Sequence, residues 1–395
     1  VGMGAASDRL IHPDSLESAG IVDTMREWMP KTRDLEMYMD ATLLSEGLGL
    51  VSDQDIPEGM PPVGVAVGMQ ATGSETGHCH CFPRARGGPD ARRGHGFSRR
   101  VRLVNGPWRL DGLRSVETDP PAVMAVLNCT PDSFSDGGDH FAVEAAVEAG
   151  LAAVKAGASI LDIGGESTRP GAERVHSEEQ IRRVCPVVSA LREHTDVALS
   201  VDTTRAEVAE AALHAGVNAI NDVSAGSEDP EMFGLAADKG CGLVLMHRGA
   251  PPPEDQWSDA WSTPPAFEDV VVEVRAALEG RAEAAEAAGV SPDAIVLDPG
   301  LGFGKDVDQN WILLQRFAEL SAGGRRWLVG ASRKSFIGAV TGVREPRDRV
   351  PGSLVAAVLA MQGGAEILRV HDVSAHVQTV HAFVAARNAG FEIGQ

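Results

Sequence analysis

The chain has 395 residues, of which 43% are hydrophobic and 23% charged, as in ordinary folded globular proteins. Its net charge is −21, and residues 1–118 contribute little to it, because they hold 16 acidic and 13 basic side chains. The acidity therefore belongs to the rest of the chain, which excludes general binding to nucleic acid or to an anionic membrane surface. Any anionic ligand must be held by a local basic cluster.

The cysteines and the apolar runs indicate the cellular setting. A disulfide framework is not expected, because the cysteines are sparse and odd in number: Cys79, Cys81, Cys129, Cys185 and Cys241. No apolar run approaches the roughly 20 residues needed to span a bilayer. The first residues lack a basic stretch followed by an apolar one, so no secretory signal is predicted. We therefore expect a reduced, cytoplasmic location and no membrane partner.

Residues 1–100 form an extension in which residues 57–76 are rich in Gly and Pro, and an Arg-, Gly- and Pro-rich segment follows at 82–102. Such a composition buries too little apolar surface to order a chain, so we expect the extension to be flexible, and its role stays open. Residues 101–118 instead predict a small hairpin, with Asn105-Gly106 as its turn signal. We expect this hairpin to plug the floor of a barrel domain that spans residues 101–395.

From residue 120 onward, short apolar segments alternate with Ala- and Glu-rich segments of helical periodicity. The apolar segments predict eight strands, at 122–127, 159–163, 197–201, 217–220, 242–246, 294–297, 327–331 and 367–370. The clearest helical segments are 141–156, 205–215, 266–289 and 374–388. Eight strand–helix units in about 275 residues predict a closed (β/α)8 TIM barrel, and an open doubly wound sheet is the alternative.

Polar residues at the strand ends separate these two folds. Nearly every predicted strand ends in a residue capable of chemistry: Asn128, Asp162, Asp202, Asn221-Asp222, His247, Asp298, Ser332-Arg333-Lys334 and His371-Asp372. A closed barrel brings all eight carboxyl ends to one mouth, whereas an open sheet spreads them along an edge. A helix cap explains any single Asp or Asn equally well, but the set as a whole predicts a shared site.

One part of that site is predicted to hold an anion. Arg369 and His371 lie two residues apart on the last strand, so their side chains lean toward the same face. Asn128 ends the first strand, which neighbours the last strand in a closed barrel. These side chains and the glycine-rich backbone suit phosphate or diphosphate, with a surface ion pair as the alternative for Arg369. Asn128, with Asp132 or Asp136, also offers oxygen ligands for Mg2+.

A second part is predicted to hold a heterocycle. Asp202, Asn221 and Asp298 place two carboxylates and an amide at the ends of apolar strands. A carboxylate accepts two parallel N–H bonds from a guanidine-like edge, such as that of a 2-amino-4-oxo-pyrimidine ring. Lys334 supplies a positive charge for a ring nitrogen or carbonyl oxygen. The alternative is a buried ion-pair network of Asp298 with Lys334 or Arg333.

Two loops are predicted to cover this mouth. Residues 130–140 and 164–175 mix Gly, Pro and polar residues and follow the first two strands. We expect the two loops to close together over a substrate.

Several of these segments resemble the signatures of the dihydropteroate synthase family. The longest are residues 128–138 (Asn-Cys-Thr-Pro-Asp-Ser-Phe-Ser-Asp-Gly-Gly), 162–172 (Asp-Ile-Gly-Gly-Glu-Ser-Thr-Arg-Pro-Gly-Ala), 298–305 (Asp-Pro-Gly-Leu-Gly-Phe-Gly-Lys) and 332–338 (Ser-Arg-Lys-Ser-Phe-Ile-Gly). Residues 201–203, 220–224 and 369–372 also fit. The resemblance covers residues 101–395 in the family's order and leaves the extension unexplained.

The resemblance implies a pterin-binding TIM barrel of folate synthesis. That family condenses 6-hydroxymethyl-7,8-dihydropterin diphosphate with 4-aminobenzoate, uses Mg2+, and is usually a homodimer through its last helices. The implied mechanism is departure of diphosphate, followed by attack of the arylamine nitrogen on the methylene carbon.

Each implied role is carried over to a matching position of this chain. The implied pterin site is Asp202, Asn221, Asp298 and Lys334. The implied diphosphate site is Asn128, Arg169, Arg369 and His371, with Asn128 also on the metal. The implied 4-aminobenzoate site is Thr168, Pro170, Phe303 and Ser335. The residues implied in catalysis are Asp202, Lys334, Arg369 and His371.

Two positions depart from the family's pattern. Cys129 stands where Val is more usual, and Arg248-Gly249-Ala250-Pro251 follows His247 where the family often has a Met-containing loop. We expect the second departure to change the edge of the pterin pocket. A pterin-binding methyltransferase and a non-catalytic binding protein are the competing functions. The first would not need the 130–138 loop, and the second would be expected to lose a residue such as Lys334.

Overall fold

The structure is a computed structural model, and it describes residues 106–112, 114–129 and 138–389, together with residues 63–64 and 82–83. The last two pairs form a short antiparallel pairing of Val63–Gly64 with Phe82–Pro83. The chain divides into two units, Val1–Phe97 and Ser98–Gln395. The predicted flexibility of residues 1–100 lies outside the described residues, as does nearly all of the predicted covering loop at 130–140.

Eight parallel strands form a closed barrel. They are β1 Ala122–Asn128, β2 Ile160–Gly164, β3 Ala198–Asp202, β4 Ala219–Asp222, β5 Gly242–Met246, β6 Ile295–Asp298, β7 Arg326–Val329 and β8 Ile367–Val370. Each strand pairs with the next, and β8 returns to pair with β1, with Ile367 opposite Ala122. The predicted barrel is therefore confirmed, each predicted strand boundary lies within two residues of the observed one, and the open sheet is excluded.

Helices surround this barrel. Within the described residues they are α1 Gly138–Lys155, α2 Ser177–Arg192, α3 Ala206–Ala215, α4 Met232–Lys239, α5 Val270–Ala287, α6 Val307–Gln315, α7 Phe317–Leu320, α8 Ser335–Thr341, α9 Val350–Gln362 and α10 Val373–Asn388. Local signals set some starts: the Asp269 side chain caps α5, and Asp306 and Gln309 form a capping box on α6. None of the helices described is both long and apolar enough to cross a membrane.

A small hairpin closes the amino-terminal end of the barrel. Trp108–Arg109 pairs with Ser115–Val116, and the buried Trp108 and Leu110 pack on interior side chains of the barrel such as Met124. The indole Nε1 of Trp108 donates to the carbonyl of Ala294 at 2.8 Å. The predicted floor plug is confirmed, and it leaves the carboxyl-terminal end of the barrel as the open end.

The turn of this hairpin differs from the prediction. It lies between Leu110 and Arg114, where the Asp111 carboxylate accepts from the Arg114 N–H at 2.8 Å. Asn105-Gly106 is not the turn, because Gly106 precedes the first strand of the hairpin and its carbonyl accepts from Arg326. A turn stabilised by its own Asp side chain is as competent as an Asn-Gly turn, so the local signal pointed to the wrong dipeptide.

We expect Trp108→Ala to lower the free energy of unfolding by about 3–5 kcal/mol, because it removes a fully buried indole and leaves a cavity under the barrel. Denaturant unfolding measures this loss. Trp257→Ala is the matched control, since that indole is 45% exposed and its removal should cost little. Equal losses in the two variants would contradict the role of the hairpin as a floor.

Candidate active site

The register of the barrel brings the polar strand ends to one rim. Asn128 lies opposite Gly164, Gly164 opposite Asp202, and Asp202 opposite Asn221. A methyl group placed on Gly164 would lie 3.5 Å from Asp202 Cβ and 3.9 Å from Asn128 Oδ1, so these two side chains flank the glycine. Consecutive strands therefore present their polar residues to the same mouth.

A cavity opens at this mouth with one polar and one apolar part. Its polar lining residues are Thr168, Asn221, Asp298, Lys334 and Arg369, and its apolar lining residues include Val223, Met246, Leu301 and Phe303. Four of the six residues implied in pterin binding and catalysis thus line one cavity, and Asp202 and His371 are not among its lining residues. Such a mix suits a flat heterocycle with a few directed hydrogen bonds.

The two carboxylates beside this cavity are almost fully buried. Burial raises the pKa of Asp298 to about 6, although the backbone N–H of Gly300 donates to its carboxylate at 2.8 Å. Burial also raises the pKa of Asp202 to about 7 against the opposing effect of Arg369. Asp202 Oδ1 has no hydrogen-bond partner among the described residues. A buried carboxylate oxygen left without a donor is costly, so this atom suits a ligand N–H.

Lys334 contacts an aromatic ring and makes no direct ion pair with Asp298. Its Nζ lies 3.9 Å from the centroid of the Phe303 ring, and burial lowers the pKa of this amine to about 8. Arg333 instead pairs with Asp372, at 2.5 and 2.9 Å. The Arg333 pairing of the predicted alternative is therefore wrong, whereas Asp298 and Lys334 do influence each other by charge, without a direct ion pair in the described part of the chain. Arg333 has φ +62°, a strained conformation that is often found at functional sites.

Arg369 is held between two carboxylates at the centre of the mouth. Its Nε donates to Asp162 Oδ2 at 2.6 Å and its Nη2 to Asp202 Oδ2 at 2.7 Å. The surface ion pair considered for Arg369 is excluded, because both acceptors are buried. The predicted anion site grouped Arg369 with His371 and Asn128. In the structure its direct hydrogen-bond partners are instead Asp162 on β2 and Asp202 on β3.

Asp162 has a larger part in the site than its sequence position suggested. It is fully buried, and besides Arg369 it accepts from Ser200 Oγ at 2.5 Å and from Asn221 Nδ2 at 2.9 Å. One carboxylate thus orients both an arginine and an amide of the cavity. The sequence showed Asp162 only as one polar strand end among eight, and nothing local identified its partners.

The remaining predicted residues lie around the rim. Asn128 is half-buried at the end of β1, and His371 Nδ1 lies 3.1 Å from Ser332 Oγ at the end of β8. Ser335 is buried at the start of α8, where its Oγ accepts from the backbone N–H of Ser258 at 3.1 Å.

The loop after β2 brings only part of its predicted set to the cavity. Thr168 lines the cavity and Pro170 is half-buried, whereas Arg169 is exposed. The substrate roles of all these residues remain predictions.

Lys305 is a second residue that had no predicted role. Its fully buried ammonium lies 3.0 Å from His247 Nδ1, and it donates to the carbonyls of Phe303 at 2.9 Å and Gly300 at 3.1 Å. Burial lowers the pKa of this amine to about 7. Lys305 thereby fixes the loop that carries Phe303 against the loop that begins at His247.

These two loops meet by backbone contact. A methyl group on Gly300 would lie 1.8 Å from the carbonyl oxygen of His247, and one on Gly304 would lie 2.7 Å from Gly249. Both positions also have positive φ, so only glycine fits. The loop that departs from the family pattern, Arg248-Gly249-Ala250, is thus packed directly on the loop that shapes the cavity.

Comparisons with known proteins agree with this geometry. A model of the pterin binding enzymes matches residues 124–371. The dihydropteroate synthase of Synechocystis sp. is 44% identical over 257 residues, covering 65% of this chain and 86% of that protein. This chain belongs to the pterin-binding enzyme family.

Two solved structures from Xanthomonas albilineans are similar to this pterin-binding enzyme. One is a dihydropteroate synthase with 4-aminobenzoic acid, with a TM-score of 0.65 and 45% identity over 71% of this chain and 99% of that chain. The other is the enzyme in complex with 7,8-dihydropteroate, with a TM-score of 0.62 and 43% identity over 71% of this chain and 98% of that chain.

We expect Lys305→Met to weaken the binding of a pterin by about tenfold, because the loop that carries Phe303 loses its ammonium donor and its carbonyls lose hydrogen bonds worth about 1–3 kcal/mol in total. Calorimetric titration measures the affinity, and thermal unfolding checks that the barrel is intact. Lys239→Met, which changes a surface lysine paired with Glu210, should bind as the unaltered chain does. Unchanged affinity in Lys305→Met would show that this loop is held by its glycines alone.

Proposed function

We propose that this chain is a dihydropteroate synthase. It condenses (7,8-dihydropterin-6-yl)methyl diphosphate with 4-aminobenzoate to give 7,8-dihydropteroate and diphosphate, a transferase step in folate biosynthesis. The observation that carries the proposal is the cavity in which Asp298, Asn221 and Lys334 meet beside Asp202, whose Oδ1 has no hydrogen-bond donor in the described part of the chain. The similarity to dihydropteroate synthases over most of their length supports it.

The polar lining of the cavity matches the edge of a pterin ring. An ionised carboxylate of Asp298 or Asp202 accepts paired N–H groups from the guanidine-like edge, and Asn221 offers both a donor and an acceptor. Lys334 supplies the cation for a ring nitrogen or carbonyl oxygen. Met246 and Phe303 offer the apolar surfaces against which a flat ring packs.

Arg369 connects recognition of the ring with recognition of the diphosphate. Arg369 pairs with both Asp162 and Asp202, so its single positive charge offsets part of the charge of the two carboxylates. A bound diphosphate would compete with Asp202 for the Nη2 group of Arg369, while Asp162 continues to accept the hydrogen bond from Nε. Asp202 is then free to accept from the pterin, so the two ends of one substrate exchange partners within the same network. Asn128, Arg169 and His371 are the other diphosphate ligands proposed here.

We also propose Mg2+ as the cofactor, with Asn128 as its protein ligand. Mg2+ keeps several waters and is usually bound by one or two protein oxygens plus substrate phosphates. This coordination preference suits a site with the amide oxygen of Asn128 as its protein ligand. Within the described ranges, no cluster of three or more His, Cys, Asp or Glu side chains is arranged to hold a metal ion. When bound, Mg2+ would neutralise charge on the departing diphosphate.

The chemistry needs charge stabilisation and positioning more than proton transfer. Arg369 stabilises the negative charge that builds on the leaving diphosphate, and the carboxylate of Asp202 stabilises the positive charge left on the methylene and ring. The arylamine of 4-aminobenzoate is a weak base that attacks without prior deprotonation, so its orientation matters most. Its proposed place lies between the loop at Thr168 and Pro170 and the side formed by Phe303 and Ser335.

A pterin-binding methyltransferase is the second candidate for this fold. It has no diphosphate to bind and no need for Ser332-Arg333-Lys334, which here forms the strained entry to α8 and delivers Lys334 to the cavity. Relatives at 42% and 44% identity are named dihydropteroate synthases, which favours the synthase.

Incubation of the purified chain with dihydropterin diphosphate, labelled 4-aminobenzoate and Mg2+ tests the proposed function. We expect labelled dihydropteroate, and a strong loss of turnover in Asp202→Asn with the fold intact. Absence of product from the unaltered chain would remove the synthase assignment, and unchanged turnover in Asp202→Asn would reject the role of that carboxylate.

The raised pKa values of the buried carboxylates predict a pH dependence of pterin binding. Asp298 titrates at about 6 and Asp202 at about 7, and only their ionised forms accept paired N–H groups. Affinity for a pterin should therefore fall as pH is lowered from 7.5 to 5, by up to about tenfold per pH unit for each carboxylate once the pH is below the pKa of that group. Titrations at several pH values measure it, with the surface variant Asp238→Asn showing the same profile. Affinity that rises toward low pH would contradict the proposed recognition.

We further propose a cytoplasmic homodimer. The free Cys129, Cys185 and Cys241 suit a reducing compartment. The outer faces of α9 and α10 carry a groove lined by apolar residues such as Leu354, and the neighbouring Val355 is 56% exposed, which suits a subunit interface. Sedimentation velocity should find a dimer that Val355→Asp converts to a monomer, and a monomeric unaltered chain would reject the proposal.

A further inference from the structure

Four loops of the rim meet at a single carboxylate, that of Glu228. It accepts from Arg174 Nη2 at 2.6 Å and from Thr204 Oγ1 at 2.5 Å, and it also pairs with Arg248. These residues lie in the loops that follow β2, β3, β4 and β5. We call Arg174, Thr204, Glu228 and Arg248 the Glu228 bridge.

The bridge is shielded enough to hold a fixed geometry. The side chain of Arg248 is only 7% exposed, and those of Arg174 and Glu228 are 23% and 22% exposed. Burial alone would raise the pKa of Glu228, but the Thr204 hydroxyl and the two guanidinium groups outweigh it and lower this pKa. The carboxylate therefore stays ionised, and its hydrogen bonds are charge-assisted at both arginines.

On one side, the bridge holds the loop after β2. Arg174 follows Thr168 and Pro170 in this loop, and Val175 N donates to Glu166 at 2.5 Å. The backbone N–H of Gly171 donates to the carbonyl of Pro252 in the loop after β5, at 2.7 Å. The segment that carries Thr168 over the cavity is thus fixed at its far end by Arg174 and Gly171.

On the other side, the bridge holds the loop after β5. Arg248 is next to Gly249, which packs on Gly304, and next to His247, which contacts Lys305. Through these contacts Arg248 is connected to the loop that carries Phe303. One side of the slot proposed for 4-aminobenzoate is formed by Thr168 and Pro170, and the other by Phe303. Glu228 therefore connects the two sides.

We propose that Glu228 is a positioning residue that sets the width of the 4-aminobenzoate slot by joining Arg174 to Arg248. The inference rests on the proposed synthase function. Under this proposal Arg248, which lies in the loop that departs from the family pattern, helps to position 4-aminobenzoate without contacting the pterin ring. Glu228 itself contacts no substrate in this account.

Glu228→Gln tests the inference, because it keeps the shape of the side chain and removes its charge. We expect KM for 4-aminobenzoate to rise about tenfold, as for loss of one charge-assisted hydrogen bond, while KM for dihydropterin diphosphate changes less than about twofold. Glu286→Gln is the matched control: Glu286 also pairs with an arginine, Arg325, but it lies at the end of α5, beside the residue that precedes β7 and away from the carboxyl-terminal rim. This control should leave both KM values unchanged.

A double-mutant cycle separates positioning from a general loss of structure. Arg174→Met should raise the same KM as Glu228→Gln, and the double variant should show less than the product of the two rises, because the bond between Arg174 and Glu228 is lost in both single variants although Arg174 also contacts Glu166 and Thr204. Hydrogen exchange at Gly171–Val175 should quicken in each single variant. Equal rises in both KM values, or additive effects, would overturn the inference.

The outcome for the unaltered chain separates the two proposals. If the unaltered chain makes dihydropteroate and Glu228→Gln has normal KM values, the inference fails and the synthase function stands. If the unaltered chain makes no dihydropteroate, the synthase function fails, and the inference fails with it.

Discussion

The site depends on the pairing of the last strand with the first. Ile367, Leu368, Arg369 and Val370 of β8 lie opposite Ala122–Ala125 of β1, and this pairing closes the barrel. Closure leaves no free sheet edge and forces all eight carboxyl ends onto one rim. Without it, Arg369 would be far along the sheet from Asp162 and Asp202. The hairpin that contains Trp108 fills the amino-terminal end of the barrel, so the interior opens at the carboxyl-terminal end, where the polar residues lie.

Buried charge at this rim is compensated within a small network. Arg369 pairs with Asp162 at 2.6 Å and with Asp202 at 2.7 Å and so offsets part of their charge, but a buried ion pair of this kind contributes little net stability after desolvation. Its presence in the centre of the mouth is better explained by the proposed function, in which these groups exchange partners with a substrate that carries both N–H donors and a diphosphate. The pKa of Asp202 is raised because the effect of burial exceeds the opposing effect of Arg369.

The sequence was sufficient to predict the fold and the meeting of the polar strand ends at one mouth. It did not predict which side chains form hydrogen bonds and ion pairs with each other. Short continuous apolar runs separated by Ala-rich helical segments located all eight strands, and closure then placed Asp202, Asn221, Asp298 and Lys334 at one mouth. The partner of Arg369 on β2 is 207 residues away, and that of Lys305 on the β5 loop is 58 residues away. Local periodicity carries no information on which distant side chains meet, so Asp162 and Lys305 had no predicted role.

The charge of the whole protein also needs reconciling with an anionic substrate. A net charge of −21 repels a diphosphate at long range, but at physiological ionic strength such repulsion is screened beyond about 8 Å. Within that distance the mouth presents Arg369 and Lys334, and Asp162 and Asp202 are already partly neutralised by Arg369. The local field is therefore set by a few buried groups. An acidic surface is therefore compatible with binding of a diphosphate at this mouth, as proposed above.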